Sequence, residues 1–143
     1  MSLDENEDLV RRFIDEVMNA GNTAAIAGSC VAGSMFWGGI EGQVKTMRMA
    51  FPDHHLTIDH IVAETNRVAV RVTTDRTNTG SMAGFPGFGR FEAPVPPTGR
   101  AARGSTIYVF AVSKGKIASL ATEMAQSGLL WQLGWTFSPP DET

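Results

Sequence analysis

The sequence predicts an α+β fold in which N-terminal helices pack on one face of a curved, mainly antiparallel sheet. Three observations carry that prediction. Leu9, Val10, Phe13, Ile14, Val17 and Met18 recur at helical spacing, opposite Arg11, Arg12, Asp15 and Glu16. Val68, Val70, Val72 and Thr74 alternate with Ala69, Arg71, Thr73 and Asp75, the period of a strand with one apolar face. Turn chemistry at Thr65-Asn66-Arg67 and at Lys114-Gly115 separates the β runs, so a meander of about four strands follows the helices.

Taken in order, Ser2 and Glu5 have the capping-box spacing, and Gly21 supplies a stop for the first helix. Asn22 is placed to cap a short second helix running to Ala27, broken between Gly28 and Gly33. Met35-Phe36-Trp37 is a brief strand candidate closed by Gly38-Gly39, and a third helix is expected from Glu41, with Val44, Met47 and Phe51 on one face, until Pro52 ends it. Leu56, Ile58, Ile61 and Val62 suggest the first long strand, and Val68 to Thr74 the second. Between Gly80 and Gly99, five glycines and four prolines with Phe85, Phe88 and Phe91 interleaved read as one long loop. Ala102 to Val112 resumes β character, and the final strand leads into an apolar terminal segment folding back.

At 143 residues the chain is expected to form a single domain, 1–143, long enough to bury a core. Apolar and charged fractions of 43% and 19% are those of a globular protein. A net charge of -3 without a basic stripe excludes nucleic acid and anionic membrane surfaces as partners. The acidic N-terminus does not resemble a signal peptide, and no apolar run could span a bilayer, so a soluble, cytoplasmic protein is expected. Cys30 is the sole cysteine and reads as a small buried hydrophobe. No spacing supports a metal or nucleotide cofactor. Gly84, Gly87 and Gly89 lack the strand-to-helix unit of a dinucleotide fingerprint, and the adjacent His54 and His55 lack a third ligand and sit at a corner expected to be solvated.

The run Leu9 to Val17, then Ala50-Phe51-Pro52-Asp53, Val62-Ala63-Glu64, Arg67 to Arg71, Thr77-Asn78-Thr79-Gly80, Pro97-Thr98-Gly99-Arg100, Gly115-Lys116-Ile117 and Gly128 to Gly134 resembles the SnoaL-like polyketide cyclases of the NTF2-like superfamily. The resemblance implies a cone, in which helices close a bent sheet around an apolar cavity, a small-molecule ligand, and a homodimer formed through the outer sheet face. It also implies secondary metabolism, such as antibiotic biosynthesis, with cyclisation, isomerisation or assistance to hydroxylation. Two departures stand out. Gly87 to Val95 looks inserted, and the family's acid/base carboxylates are missing: Leu120 and Ala121 stand where the last strand usually carries His-Trp, and Ala125 where it carries aspartate. Compared with limonene epoxide hydrolase, the pocket arginine and aspartates fall at Val72, Thr74 and Thr122.

Strand alternation and the resemblance together place Val70, Val72 and Thr74, then Gly104, Thr106, Tyr108 and Phe110, then Leu120, Thr122 and Met124 on the inner face. Trp37, Met47 and Phe51 close the cavity from the helical side, and Gly104 is expected to leave space. Such a cavity suits a hydrophobic, partly oxygenated ligand of the aromatic polyketide kind. Three groups could handle a proton or a developing oxyanion. Tyr108 could donate to an enolate oxygen or simply pair with Thr106 or Thr122. His60 could turn inward at a bulge or remain solvated. Glu92 could reach over from the loop, where Arg90, Arg100 and Arg103 complete a charge grouping that either meets a substrate carboxylate or forms a solvated face. A non-catalytic ligand-binding or dimeric scaffold member of the same fold is the competing expectation.

Overall fold

Ser2 opens the chain's first helix, its Oγ accepting a hydrogen bond from the Glu5 N–H at 3.1 Å. The computed structural model describes residues 2–33, 35–85 and 89–141; Phe88 and Gly87 lie outside them. Helix α1 (Leu3–Phe13) continues as a π-helical segment, Ile14–Asn19. Leu9, Val10, Phe13, Ile14, Val17 and Met18 are all buried, as their spacing predicts. A 3-10 turn (Thr23–Ala25) leads into the short α2 (Ile26–Ser29).

Helix α3 (Met35–Ala50) begins six residues before the expected Glu41, and no strand forms at Met35 to Trp37. Gly38 and Gly39 each cost a helix about 1 kcal/mol. Burial of Ile40 and the packing of Trp37 on the main core, both carried by the added turns, offset that cost.

Four strands form one antiparallel sheet in the order β1-β2-β5-β6: β1 (His55–Glu64), β2 (Arg67–Thr77), β5 (Ala101–Ser113) and β6 (Lys116–Met124). Two irregularities interrupt the ladders. In β1, Ile58 pairs with Val72 and His60 with Arg71, leaving Asp59 as the extra residue. In the β5–β6 ladder the register shifts between Ala111 and Val112. Helices α1 and α3 lie against the concave face, giving the α+β, NTF2-like architecture expected.

The segment expected to be a loop is instead a hairpin, β3 (Met82–Phe85) with β4 (Gly89–Val95). Glycine and proline fit here for reasons that periodicity does not report. A Cβ on Gly84 would stand 2.6 Å from the Gly89 carbonyl oxygen, so that crossing requires glycine. Pro94 sits in a two-stranded ribbon, where a missing N–H breaks no central ladder. Helix α4 (Gln126–Gln132) closes the chain and buries Leu129, Leu130 and Leu133.

The core is divided. One cluster, with Phe13 edge-on to Phe110 at 5.8 Å, fills the space between α1, α3 and the sheet. A second, built from Met47, Phe51, Met82, Phe85, Leu129 and Leu133, sits under the hairpin and α4. Asn78 joins the parts: its Nδ2 donates to the carbonyls of Gly80 (2.9 Å) and Ala50 (3.3 Å), and its Oδ1 accepts from the Thr98 N–H at 3.0 Å. Replacing it with alanine strands the part-buried Thr98 N–H and the Gly80 carbonyl, while the Ala50 carbonyl keeps its bond from the Gly80 N–H at 3.2 Å. Asn78→Ala should therefore lower unfolding free energy by about 2–4 kcal/mol. Urea titration would show this as a lower midpoint at unchanged slope, and an unchanged midpoint would refute the role given to Asn78.

Candidate functional site

Where the two core clusters meet, the structure leaves a cavity of about 40 Å³. Met18, Ile40 and Val44 wall it from the first cluster, and Met47 and Met124 from the second. Into this apolar shell come His54, Arg76, Thr106 and Tyr108, with Arg48 and Gln43 from α3. Among the described residues no carboxylate lines it, and no three potential metal ligands converge anywhere.

Two of these groups follow from strand parity. Arg76 continues the inward series Val68, Val70, Val72, Thr74 and is 3% exposed. His54 precedes β1 in phase with Leu56 and is 9% exposed, whereas His55 points out. The corner expected to be solvated is therefore half buried, because Pro52 and Asp53 turn the chain under the sheet: Asp53 Oδ1 accepts from the Thr77 N–H at 2.7 Å.

The two arginines differ in their bonding. Arg48 is held by protein carbonyls: Nη2 donates to Met18 O (2.9 Å) and His54 O (3.1 Å), and Nη1 to Pro52 O (3.1 Å). Arg76 lies over the Phe51 ring at 5.3 Å, and its Nε and Nη1 meet no hydrogen-bond partner among the described residues. His54 Nδ1 and Thr74 Oγ1 are buried and unpartnered as well.

Electrostatics follow from burial and these charges. Desolvation, reinforced by Arg76 and Arg48, pushes the His54 imidazole down to about 3, so it is neutral at ordinary pH. Desolvation brings Arg76 down to about 10, still cationic near neutrality. Burial raises the Tyr108 phenol to about 12, partly opposed by Arg76, so it stays a hydrogen-bond donor.

Of the residues expected at the site, Met47, Thr106, Tyr108 and Met124 line the cavity. Phe51, Val72 and Thr74 are buried beside it, Phe51 beneath Arg76 and Val72 in the main core. Leu120 packs half-buried on the main core, and Thr122, although paired with Tyr108 on the inner face, is exposed. Trp37 packs against the main core away from the cavity lining.

His60 requires a correction. The bulge exists, but Asp59 absorbs it, so Ile61 turns inward while His60, opposite Arg71, stays outside. Glu92 is exposed on β4. The expected charge grouping also disperses, since Arg103 pairs with Asp75 at 2.8 Å and the Arg100 guanidinium packs near Gly134. Gly104 leaves space for Leu129 rather than for a ligand: a Cβ there would lie 2.7 Å from the leucine Cδ2. Arg76 and His54 are what sequence reasoning missed, and extending the strand alternation by one step in each direction would have found them.

The model of the SnoaL-like polyketide cyclase family matches residues 38–133. The chain belongs to that family. No curated protein sequence matches it. Among solved structures, TsrD from Streptomyces laurentii superposes with a TM-score of 0.78 at 20% identity, covering 94% of this chain and 98% of that one. AclR from Streptomyces galilaeus, provisionally named a hydroxylase, gives 0.75 at 22% identity, covering 93% and 98%. IdmH from Streptomyces antibioticus, provisionally named a polyketide cyclase, gives 0.72 at 21% identity, covering 91% and 99%. At these identities the likeness is one of fold.

Burial of neutral His54 makes stability depend on pH with a definite sign. Its folded value lies below the unfolded 6.5, so between about 6.5 and 3 the unfolded chain binds the extra proton. The stabilisation is complete above 6.5 and is lost as pH falls toward 3, with an upper bound on the order of 5 kcal/mol. Denaturation midpoints taken across that range should fall more steeply for the wild type than for His54→Gln. Parallel curves would mean that His54 is not held neutral by the fold.

Proposed function

We propose that this protein binds a hydrophobic, partly oxygenated small molecule of the aromatic polyketide class and acts on it as a secondary-metabolism tailoring enzyme, through cyclisation, isomerisation or assistance to hydroxylation. The convergence of Tyr108, His54, Thr106 and a buried guanidinium on one otherwise apolar cavity carries this reading. Removing a proton beside a carbonyl leaves negative charge on oxygen. A preorganised phenol donor and two fixed positive charges lower the cost of that charge inside a poorly solvated site. Tyr108 serves as the donor to the developing oxyanion.

The proton needs an acceptor, and His54 is the imidazole in the lining. In the free protein burial, reinforced by the two arginines, keeps it a reluctant base. Negative charge growing on the ligand offsets them and raises its basicity as the transfer proceeds. That reluctance also supports a second reading, a non-catalytic ligand-binding member of the fold.

With an aromatic polyketone substrate, Tyr108→Phe should lower kcat about 10²–10³-fold while changing ligand affinity much less. Ligand-induced thermal stabilisation without any turnover by the wild type would select the binding reading instead.

The reading includes a homodimer. Across the outer sheet face, Val62 pairs with Ala69, Ala69 with Val109 and Val109 with Ala121, and all four are exposed. An unbroken apolar row over four strands is the kind of surface a second copy covers. Val109→Asp should convert a dimer to a monomer in sedimentation at micromolar concentration. A wild type that sediments as a monomer would sink this part of the proposal.

A further inference from the structure

We infer that the cavity is an anion subsite in which Arg76 receives a carboxylate carried by the ligand, while the ligand's ring system lies in the cleft between α3 and the β3–β4 hairpin. The inference rests on the reading that this site takes a small molecule, and goes beyond it by naming a ligand that arrives already charged.

Arg76 is the first ground. Its side chain is almost wholly buried, yet Nε and Nη1 find no acceptor among the described residues, and it takes part in none of the ion pairs found there, which join Lys45 to Glu41, Arg71 to Asp59 and Arg103 to Asp75. Arg48 also lines the cavity, and its Nε too lacks a partner, but its two terminal nitrogens are held by three backbone carbonyls, as befits a structural arginine. A buried guanidinium with open donors costs the fold its desolvation, so an apolar side chain of similar size there need not lower stability. Its planar fork matches a carboxylate bidentately.

The surroundings agree. Thr74 Oγ1, two residues before Arg76 on the same face, and His54 Nδ1 are likewise buried without partners. Thr106 and the protonated Tyr108 add hydroxyl donors to the same wall. Among the described residues no lining carboxylate competes with an incoming anion.

Size settles which part of a ligand enters. A cavity of about 40 Å³ accommodates a group of two or three heavy atoms, not a fused ring. Beside it lies an open cleft of about 460 Å³ bounded by Thr46, Gly84, Phe85 and Arg90, within the range of small-molecule sites. Gln43 and Met47 line both spaces, so they form the partition across which a carboxylate-bearing aromatic ligand would reach.

The test uses naphthylacetate and its methyl ester as probes, titrated calorimetrically into the intact wild type, Arg76→Met and Arg76→Lys. The wild type should bind the acid at least about tenfold more tightly than the ester. Arg76→Met should bind both within about twofold, with a Tm equal to or above the wild type's, and Arg76→Lys should keep part of the preference. Equal binding of acid and ester by the wild type would overturn the anion subsite while leaving the small-molecule reading intact. Binding of neither probe would count against both. An acid preference undiminished in Arg76→Met would place the anion elsewhere and overturn the inference.

Discussion

Backbone amides at the ends of helices and strands need partners, and in this protein three side-chain amides supply many of them. Asn78 is the central one. It is 1% exposed and binds the end of α3, the turn leaving β2 and the strap that returns to β5, while its own N–H and C=O bond Arg100 and Gly99. Asn19 clasps Leu56 with both amide atoms, at 2.7 and 2.9 Å, fixing the first helical arm to β1. Gln132 does the same to Arg103, fixing α4 to β5. A side-chain amide imitates a peptide group, so the Asn19 and Gln132 clasps each act as one rung of sheet made by a helix. The close passage of Gly80, where a Cβ would collide with the Met49 carbonyl oxygen, exists because Asn78 draws those backbones together.

The cavity follows from this stitching. Its walls belong to both core clusters, and the clasps at Asn78 and Gln132 hold the second cluster against the first without fusing them. The polar residues gather at that seam because it is the one inward-facing place reached by the far ends of β2 and the start of β1. Apolar cores tolerate such groups only at a cost, and Arg76 and His54 meet that cost in different ways: one keeps its charge against an aromatic face, the other gives its charge up.

The legible parts of the fold were those in which periodicity and burial agree. The α1 stripe, the β2 alternation and the Lys114-Gly115 turn all stand where their patterns put them. The motifs around Asn78 and Thr98 were legible as family likeness, though not as a single clasp, because nothing in one sequence says that two short polar runs touch. The β3–β4 hairpin was hidden because its glycines and prolines satisfy local backbone demands that look like loop chemistry. At the site, Tyr108, Thr106, Met47 and Met124 could be read from alternation. Arg76 and His54 could not be read from residue type, since both are ordinarily surface groups; only strand parity carried past Asp75 and back before His55 would have revealed them.

Parity also gives the bulge in β1 a wider meaning. Asp59 is a single surplus residue whose carboxylate is held on the outside by Arg71 at 2.6 Å and Thr73 at 2.8 Å. Ahead of it, even-numbered positions face in; behind it, odd-numbered ones do. The strand is thus two half-strands written in opposite frames, spliced at one residue. A chain lacking Asp59 would run Ile58, His60, Ile61 in one unbroken alternation, whereas losing a residue anywhere else in the strand would turn one half-strand's apolar side chains outward.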